Sequence, residues 1–378
     1  MSGHGRIPWW QPRIGTEEAS RIQAVLDSEF VNDGEVTAEF ERRLAELAGC
    51  KYAVAVTSGT AALYLSLKAV GIGPGDEVVV PDVTFIATAN AVSMAGAVPV
   101  LADVDAKTLS LSTDSFARAV TARTKAVIPV HVSGRAADME GIAGIAEQHG
   151  LRVIEDAAEA LGSSVRGRAL GTFGDAGCLS FSPNKTITTG QGGAILTNDE
   201  LIHARLRALK DQGRPVRGTG GADFHPTLGY NFKFTNLQAA LGLGQLAMLD
   251  ARLDRQRAIH RAYRAALAEV PGIYLPRFDV EAGETPQWTD AVVEDRDGLH
   301  DHLLSVGAEC RKFWLPIHSQ PPYRLADERF PNSTRVAAKS LWLPSAFTLT
   351  DAQVGFVCEQ VTGFLRRRQP ATKAVAAP

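Results

Sequence analysis

Residues 52–70 read YAVAVTSGTAALYLSLKAV, and this stretch contains the unit from which the fold is built. Its first five residues form an apolar run of strand length. Small polar residues follow, and then Leu63, Leu67 and Val70 recur at the spacing of one helix face. A strand that passes through a short turn into a helix is the repeating unit of α/β layer folds.

The same alternation of apolar runs and helical patterns continues through the first two-thirds of the chain. We predict strands at 52–56, 78–81, 98–103, 126–132, 152–155, 178–181 and 194–197. Because helical segments separate several of these runs, the strands are expected to form a mostly parallel sheet.

A second domain is predicted after a long helical pattern that begins near Thr235. Thr235 and Gln238 have the T-x-x-Q spacing of a capping box, which marks a helix start. We therefore expect a large domain at 1–245 and a smaller C-terminal α/β domain at 246–365. The basic and then small-residue tail 366–378 is predicted to be disordered.

The composition excludes several classes of protein. The 378 residues carry 39 Lys and Arg against 42 Asp and Glu, a net charge of −3, and 45% are apolar. These values are those of an ordinary globular protein and give no electrostatic reason to expect nucleic-acid binding. Residues 1–15 have no apolar signal region, and no run of eighteen apolar residues occurs.

The cysteines favour a reducing compartment. They are widely separated and form no CxxC pair or zinc-type spacing: Cys50, Cys178, Cys310 and Cys358. Reduced thiols and no recognisable leader together predict a cytoplasmic protein with no metal site.

Three segments carry residues suited to chemistry, and the first is the turn at 57–60. A helix that starts with small residues presents free backbone N–H groups, which suit a phosphate. Gly59 allows close approach, and Ser58 and Thr60 add hydroxyl groups. The alternative interpretation is that this turn is only a capped helix start and binds no ligand.

The second segment ends in Asp156, at the carboxyl end of a strand that is expected to be buried. Ligands bind at this edge of open α/β sheets, and a carboxylate there needs a cation or hydrogen-bond donors. Alternatively, Asp156 only caps the next helix.

The third segment, 179–193, reads LSFSPNKTITTGQGG and places Lys185 in a loop between two predicted strands. Most loop lysines are solvated, but the flanking buried strands favour an inward position for this one. A buried lysine can form a Schiff base with a carbonyl group. A phosphate site, a strand-end carboxylate and such a lysine together are what pyridoxal 5′-phosphate (PLP) requires.

Three runs also give the chain a family resemblance. They are NKTITTGQGG at 184–193, TFIATANA at 84–91 and GYNFKFTNLQAA at 229–240. With them the chain resembles, from about residue 7 to residue 361, the DegT-type family of PLP-dependent nucleotide-sugar aminotransferases. That resemblance implies the fold-type I architecture, with a large domain and a smaller C-terminal α/β domain.

The resemblance also implies roles for individual residues. Lys185 matches the lysine that holds PLP covalently, and Asp156 matches the partner of the pyridine nitrogen. The other matched positions are Phe85 for stacking on the ring, Gly59, Thr60 and Ser180 for the phosphate, and Asn231 for a phosphate contact in the neighbouring subunit. An active site shared across a homodimer is therefore expected.

Glu159 indicates which members of the family the chain resembles most. Many family members have Gln at this position, near the ring hydroxyl of PLP, whereas Glu is found in members that resemble perosamine synthases. These members aminate C4 of a nucleotide-linked keto sugar. The implied reaction moves an amino group from L-glutamate to C4 or C3 of a nucleotide-linked deoxysugar, with the Lys185 amine as general base.

Two other functions remain as alternatives. A non-catalytic PLP-fold regulator or scaffold is disfavoured because Lys185, Asp156 and the phosphate motif are all present. A nicotinamide dehydrogenase is disfavoured because the early glycine-rich run, 71–75, precedes a strand instead of following one. Relatives with His in place of the lysine are dehydratases, and Lys185 argues against that chemistry.

Overall fold

A seven-stranded, mostly parallel sheet forms the centre of the larger part of the molecule. The structure, a computed structural model, describes residues 5–214 and 223–368. The strand order is β1-β9-β8-β5-β4-β2-β3, and only the pairings of β9 with β1 and β8 are antiparallel. The strands are β1 (Tyr52–Val56), β2 (Glu77–Pro81), β3 (Val98–Ala102), β4 (Thr124–Val127), β5 (Arg152–Asp156), β8 (Ala176–Ser180) and β9 (Gly193–Thr197).

All seven predicted strands are present, and the α/β prediction is confirmed. One strand is shorter than expected, because β4 ends at Val127. A 3₁₀ turn at Val132–Gly134 follows within the segment that was predicted to be strand up to residue 132. A small hairpin of β6 (Ser164–Val165) and β7 (Arg168–Ala169) lies between β5 and β8.

Helices cover both faces of the large sheet. Alternate strand residues point to opposite sides, so that Val54 and Val56 pack under α3 and α4 while Ala53 and Ala55 pack under α2 and α8. These helices and their neighbours are α1 (Thr16–Asp27), α2 (Glu35–Ala48), α3 (Gly59–Ala69), α4 (Ala87–Met94), α5 (Thr113–Ala119), α6 (Met139–His149), α7 (Glu200–Lys210) and α8 (Asn236–Ala247).

The C-terminal part has its own antiparallel sheet, in the order β10-β11-β13-β12. Its strands are β10 (Ile273–Tyr274), β11 (Thr289–Val293), β12 (Arg311–Lys312) and β13 (Ser340–Leu343), and its helices are α9 (Leu249–Leu267), α10 (Arg296–Ser305), α11 (Pro331–Lys339) and α12 (Asp351–Arg368). A second apolar core lies between this sheet and α9, α10 and α12.

The domain boundary at residue 245 stays a prediction, and the packing favours a position slightly later. Leu249 and Leu253 pack against the core of the large sheet, whereas Ile259 belongs to the C-terminal core. The chain therefore changes cores inside α9.

The end of the chain differs from the expectation at its first residues. Helix α12 continues to Arg368, so that residues 366–368 are helical and not disordered; residues 369–378 lie outside the described part. Within residues 5–214 and 223–368, no helix has the length and apolar character needed to cross a membrane. All four cysteines are free thiols, as predicted.

Candidate active site

A cavity of about 360 Å³ lies at the carboxyl ends of β1, β5 and β8. Seven of the eight residues predicted to bind the cofactor line it: Gly59, Thr60, Phe85, Asp156, Glu159, Ser180 and Lys185. Asn231 does not line the cavity; it is exposed and forms an isolated bridge with Asp211. Tertiary folding thus unites segments that are more than 120 residues apart in the chain.

Lys185 points inward from the loop between β8 and β9. The backbone N–H of Lys185 donates to the carbonyl of Ser182 at 3.0 Å, in a turn that directs the side chain back over the sheet. The side chain is only 12% exposed. Its Nζ lies 3.2 Å from Glu159 Oε1 and 4.9 Å from the ring centroid of Trp288. The expected half-buried lysine is therefore observed.

Glu159 is a buried carboxylate with both oxygens engaged. Oε1 accepts from Lys185, and Oε2 accepts from the backbone N–H of Ser133 at 2.8 Å. Burial raises the pKa of Glu159, and the positive charge of Lys185 opposes that rise. Glu159 therefore has a charged partner, Lys185, at one carboxylate oxygen and a fixed backbone donor at the other.

Asp156, at the end of β5, is also buried. Oδ2 accepts from the hydroxyl of Thr88 at 2.8 Å, and Oδ1 accepts from the backbone N–H of Ala158 at 3.2 Å. Burial raises the pKa of Asp156. Among the described residues no cationic nitrogen is within salt-bridge distance of this carboxylate, so a cationic group in the cavity would be a favourable partner.

The start of α3 forms the third wall. Ser58 is the N-cap and accepts from the N–H of Ala61 at 3.1 Å, whereas the N–H groups of Gly59 and Thr60 belong to the first helical turn, which has no intrahelical acceptors. A Cβ at position 59 would lie 3.0 Å from the Cβ of Ser180. Glycine thus lets the helix start approach the end of β8 and brings two N–H groups beside the Ser180 hydroxyl.

The C-terminal part supplies an aromatic wall to the cavity, and its residues were not among the predicted cofactor-binding positions. It consists of Trp288, Trp314 and Trp342, together with Arg311. The Arg311 guanidinium lies 5.2 Å from the ring of Trp9 and 5.7 Å from that of Trp342. Tryptophans are largely buried in most proteins, so nothing in the local sequence distinguishes these three from packing residues.

Comparisons with known proteins agree with this geometry. Residues 12–362 match the model of the DegT/DnrJ/EryC1/StrS aminotransferase family. The chain is 36% identical to GDP-perosamine synthase of Escherichia coli O157:H7 (95% of this chain, 98% of the relative) and 39% identical to GDP-perosamine synthase of Caulobacter vibrioides (94% and 97%). Among solved structures, that of S. venezuelae DesV in complex with a ketimine intermediate is 34% identical, with a TM-score of 0.91 over 96% of this chain and 99% of that one.

These matches confirm three predictions: the family, the activity of a sugar aminotransferase and the cofactor PLP, on which aminotransferases of this kind depend. They also disfavour the non-catalytic alternative. The chain belongs to the DegT/DnrJ/EryC1/StrS aminotransferase family.

Proposed function

We propose that this aminotransferase moves the amino group of L-glutamate to the keto carbon at C4 of a GDP-linked 6-deoxysugar. The observation that carries the proposal is the position of the Lys185 amine inside a cavity that it shares with Asp156 and the start of α3. The names of the relatives give the sugar, because perosamine is a 4-amino-4,6-dideoxyhexose and both relatives are GDP-perosamine synthases.

The residues that line the cavity fit PLP. Asp156 is a buried carboxylate whose described side-chain hydrogen bonds come from the neutral groups of Thr88 and Ala158, and it suits a protonated pyridine nitrogen. The N–H groups at the start of α3 and the Ser180 hydroxyl suit a phosphate. Because Gly59 has no side chain, the start of the helix can lie close to Ser180, so that these groups can bind the same phosphate. Phe85, which is 53% exposed, offers a ring face, and Glu159 is placed for the ring hydroxyl.

Lys185 has two tasks in this proposal. Its amine would hold the aldehyde carbon of PLP, and as a free amine it would take the proton from the α-carbon of the amino donor. When bound, PLP supplies the electron sink that stabilises the resulting negative charge. Glu159 holds Nζ near its position between the two tasks, and Trp288 excludes water from one side.

The substrate side is assigned to the C-terminal part. Both substrates are anionic, and Arg311 supplies a positive charge on the aromatic wall. The other cavity residues on this side, Trp314 and Trp342, offer flat apolar faces that suit a sugar or a nucleotide base. A C3 keto group on another nucleotide-linked deoxysugar remains the second candidate substrate.

A homodimer with a shared site remains part of the proposal. Asn231 lies outside the cavity of its own subunit and is exposed, as a residue that reaches a second copy would be. The variant Asn231→Ala should lose PLP faster on dialysis than the unchanged protein. Equal retention of PLP by a monomeric form would contradict a shared site. We also propose a cytoplasmic location, because nucleotide sugars and glutamate are metabolites of that compartment.

One experiment tests the function as a whole. The purified protein is incubated with PLP, and its visible absorbance is recorded to detect covalent attachment. GDP-linked and TDP-linked keto sugars are then offered one at a time with L-glutamate, and 2-oxoglutarate is measured, with Lys185→Ala as control. The proposal predicts a visible band and turnover with a GDP-linked 4-keto sugar. A colourless protein, or turnover that Lys185→Ala retains, would contradict it.

A further inference from the structure

Ser133 has a backbone conformation that is costly for a residue with a side chain. It lies in the 3₁₀ turn after β4 with φ 55° and ψ 18°, in the left-handed region, and it is completely buried. Such conformations persist only where the surrounding structure holds them, and they are concentrated at functional sites. The contacts of Ser133 show what holds it.

Each polar group of Ser133 has a partner. The backbone N–H donates to Glu159 Oε2 at 2.8 Å, and the backbone carbonyl accepts from the N–H of Gln287 at 2.8 Å. The hydroxyl donates to Asp290 Oδ1 at 2.6 Å and accepts from Trp342 Nε1 at 3.0 Å. Three of these four partners belong to the C-terminal part, and the fourth is the carboxylate that contacts Lys185.

The partners are themselves fixed. Asp290 on β11 and Trp342 on β13 lie directly opposite each other in the strand register. The two contacts of the Ser133 hydroxyl are therefore made with the same point of the C-terminal sheet. Asp290 is also ion-paired with the buried guanidinium of Arg135, which donates to the carbonyls of Thr108 at 2.7 Å and Arg277 at 3.0 Å. The hydrogen bonds therefore run without a gap from the C-terminal sheet to Glu159.

We propose that Ser133 is a positioning residue, through which the C-terminal sheet holds Glu159 against Lys185 Nζ. The hydroxyl contacts hold the backbone in its left-handed conformation, and that conformation aims the N–H at Glu159. Because only one further hydrogen bond separates Glu159 from Nζ, docking of the sheet against the large domain sets the position of the reactive amine. This inference rests on the role proposed above for Lys185.

Charged groups lie at both ends of this path. Lys185 and Asp156 act on Glu159, and Arg135 faces Asp290. His131, two residues before Ser133, donates through Nε2 to Glu155, because its Nδ1 accepts from the N–H of Ala137. A change at Ser133 therefore alters the surroundings of Lys185 through Glu159 and adds or removes no charge.

The test compares Ser133→Ala with Ser163→Ala. Ser163 is a matched control, because it is buried and its hydroxyl also makes two hydrogen bonds, to the carbonyl of Gly134 and from the N–H of Thr285. Neither of these bonds involves Glu159. We expect Ser133→Ala to lower kcat about tenfold, as much as the loss of the Glu159 carboxylate would, with the KM for L-glutamate changed less than threefold. It should also shift the midpoint of the pH titration of the PLP absorbance by at least half a pH unit. Ser163→Ala should change kcat by less than twofold and the titration midpoint by less than 0.2 pH unit.

Two further variants keep the test decisive. Ser133→Gly removes the hydroxyl contacts but adopts the left-handed conformation without strain, so that it folds even if Ser133→Ala does not. It should lower kcat and shift the titration midpoint in the same direction as Ser133→Ala, but by less. In a Glu159→Gln background, Ser133→Ala should lower kcat by less than a further twofold, because its effect passes through the carboxylate.

Three results would overturn the inference: equal effects of Ser133→Ala and Ser163→Ala, an unchanged titration midpoint, or full additivity with Glu159→Gln. If the protein without any substitution shows neither a PLP band nor turnover, the proposed function is contradicted instead. The failure of this inference and the failure of the proposed function are therefore distinguishable.

Discussion

The hydroxyl of Thr88, in the first turn of α4, donates a 2.8 Å hydrogen bond to Asp156 Oδ2 at the end of β5. The two residues are 68 positions apart in the chain. Thr88 is itself completely buried, so this contact fixes the carboxylate in a cavity wall where water cannot replace it. Asp156 is therefore held in one orientation before any ligand binds.

Replacing Thr88 by Val should weaken PLP binding. The change keeps the shape of the side chain and removes the donor, and a hydrogen bond to a charged group contributes about 1.5–3 kcal/mol, so we expect a loss of affinity of about tenfold or more. Equilibrium titration with PLP, followed by visible absorbance, measures it. Thr88→Ser, which keeps the hydroxyl, is the control and should bind within threefold; equal losses in both variants would show that the hydrogen bond does not account for the effect.

Replacing Lys185 by Ala should abolish turnover and the visible band while leaving the fold intact, because no other described lysine lines the cavity. Removal of a covalent nucleophile and base of this kind lowers kcat by several orders of magnitude. Single-turnover assays measure the loss of activity, and circular dichroism checks that the fold is intact. Lys125→Ala, which changes an exposed lysine on β4, should have ordinary activity.

Replacing Glu159 by Gln should lower kcat without unfolding the protein. The amide keeps an oxygen for the N–H of Ser133 but removes the negative charge from beside Lys185 Nζ. The loss of one charge-assisted hydrogen bond predicts a decrease of roughly tenfold. Steady-state kinetics with L-glutamate provide the measurement, and an increase in kcat would contradict the favourable role given to the carboxylate.

Replacing Asp156 by Asn should stabilise the PLP-free protein at neutral and alkaline pH. Burial raises the pKa of Asp156 above its value in the unfolded chain, so its contribution to stability is complete below the ordinary Asp value of about 3.9 and is lost as the pH rises through the raised value. Thermal unfolding without PLP should therefore show a Tm gain of about 2 °C or more at pH 8, and a smaller gain near pH 4.5. An equal gain at both pH values would exclude titration of Asp156 as the cause. The same variant should lose PLP-dependent activity.

Replacing Arg135 by Ala should strongly destabilise the protein. Arg135 and Asp290 form an ion pair with side-chain exposures of 3% and 0%, and removing one partner leaves an uncompensated buried charge at a cost of about 3–5 kcal/mol. Arg21→Ala is the control, since Arg21 pairs with Glu17 on the exposed face of α1, where about 0.5 kcal/mol is expected. Urea unfolding measures both, and equal changes in the free energy of unfolding would show that the buried pair is not special.

The fold could be predicted from the sequence because its signals are local. Buried parallel strands are short apolar runs, and the helices between them show their own period, so each element can be recognised within about ten residues. The end of β4 was placed too late because residues 128–132 are mostly apolar and buried, and some of them still hydrogen-bond to the neighbouring strands β2 and β5, although the regular strand ends at Val127. The end of α12 was placed too early because the basic residues 366–368 suggest a solvated tail, whereas a helix C-terminus favours positive charge.

The sequence by itself determined the chemistry on one side of the cavity. Lys185, Asp156 and the turn at Gly59 lie next to strand ends, and parallel strands bring their carboxyl ends to one edge whatever the details of packing. Only the tertiary structure decided the other side. Trp342 and Asp290 occupy strand positions like those of any core residue, Trp288 directly precedes β11, and Ser133 lies in a short buried turn. Their contacts with the site depend on how a second sheet docks against the first, and docking is set by the summed packing of many residues and not by any local pattern.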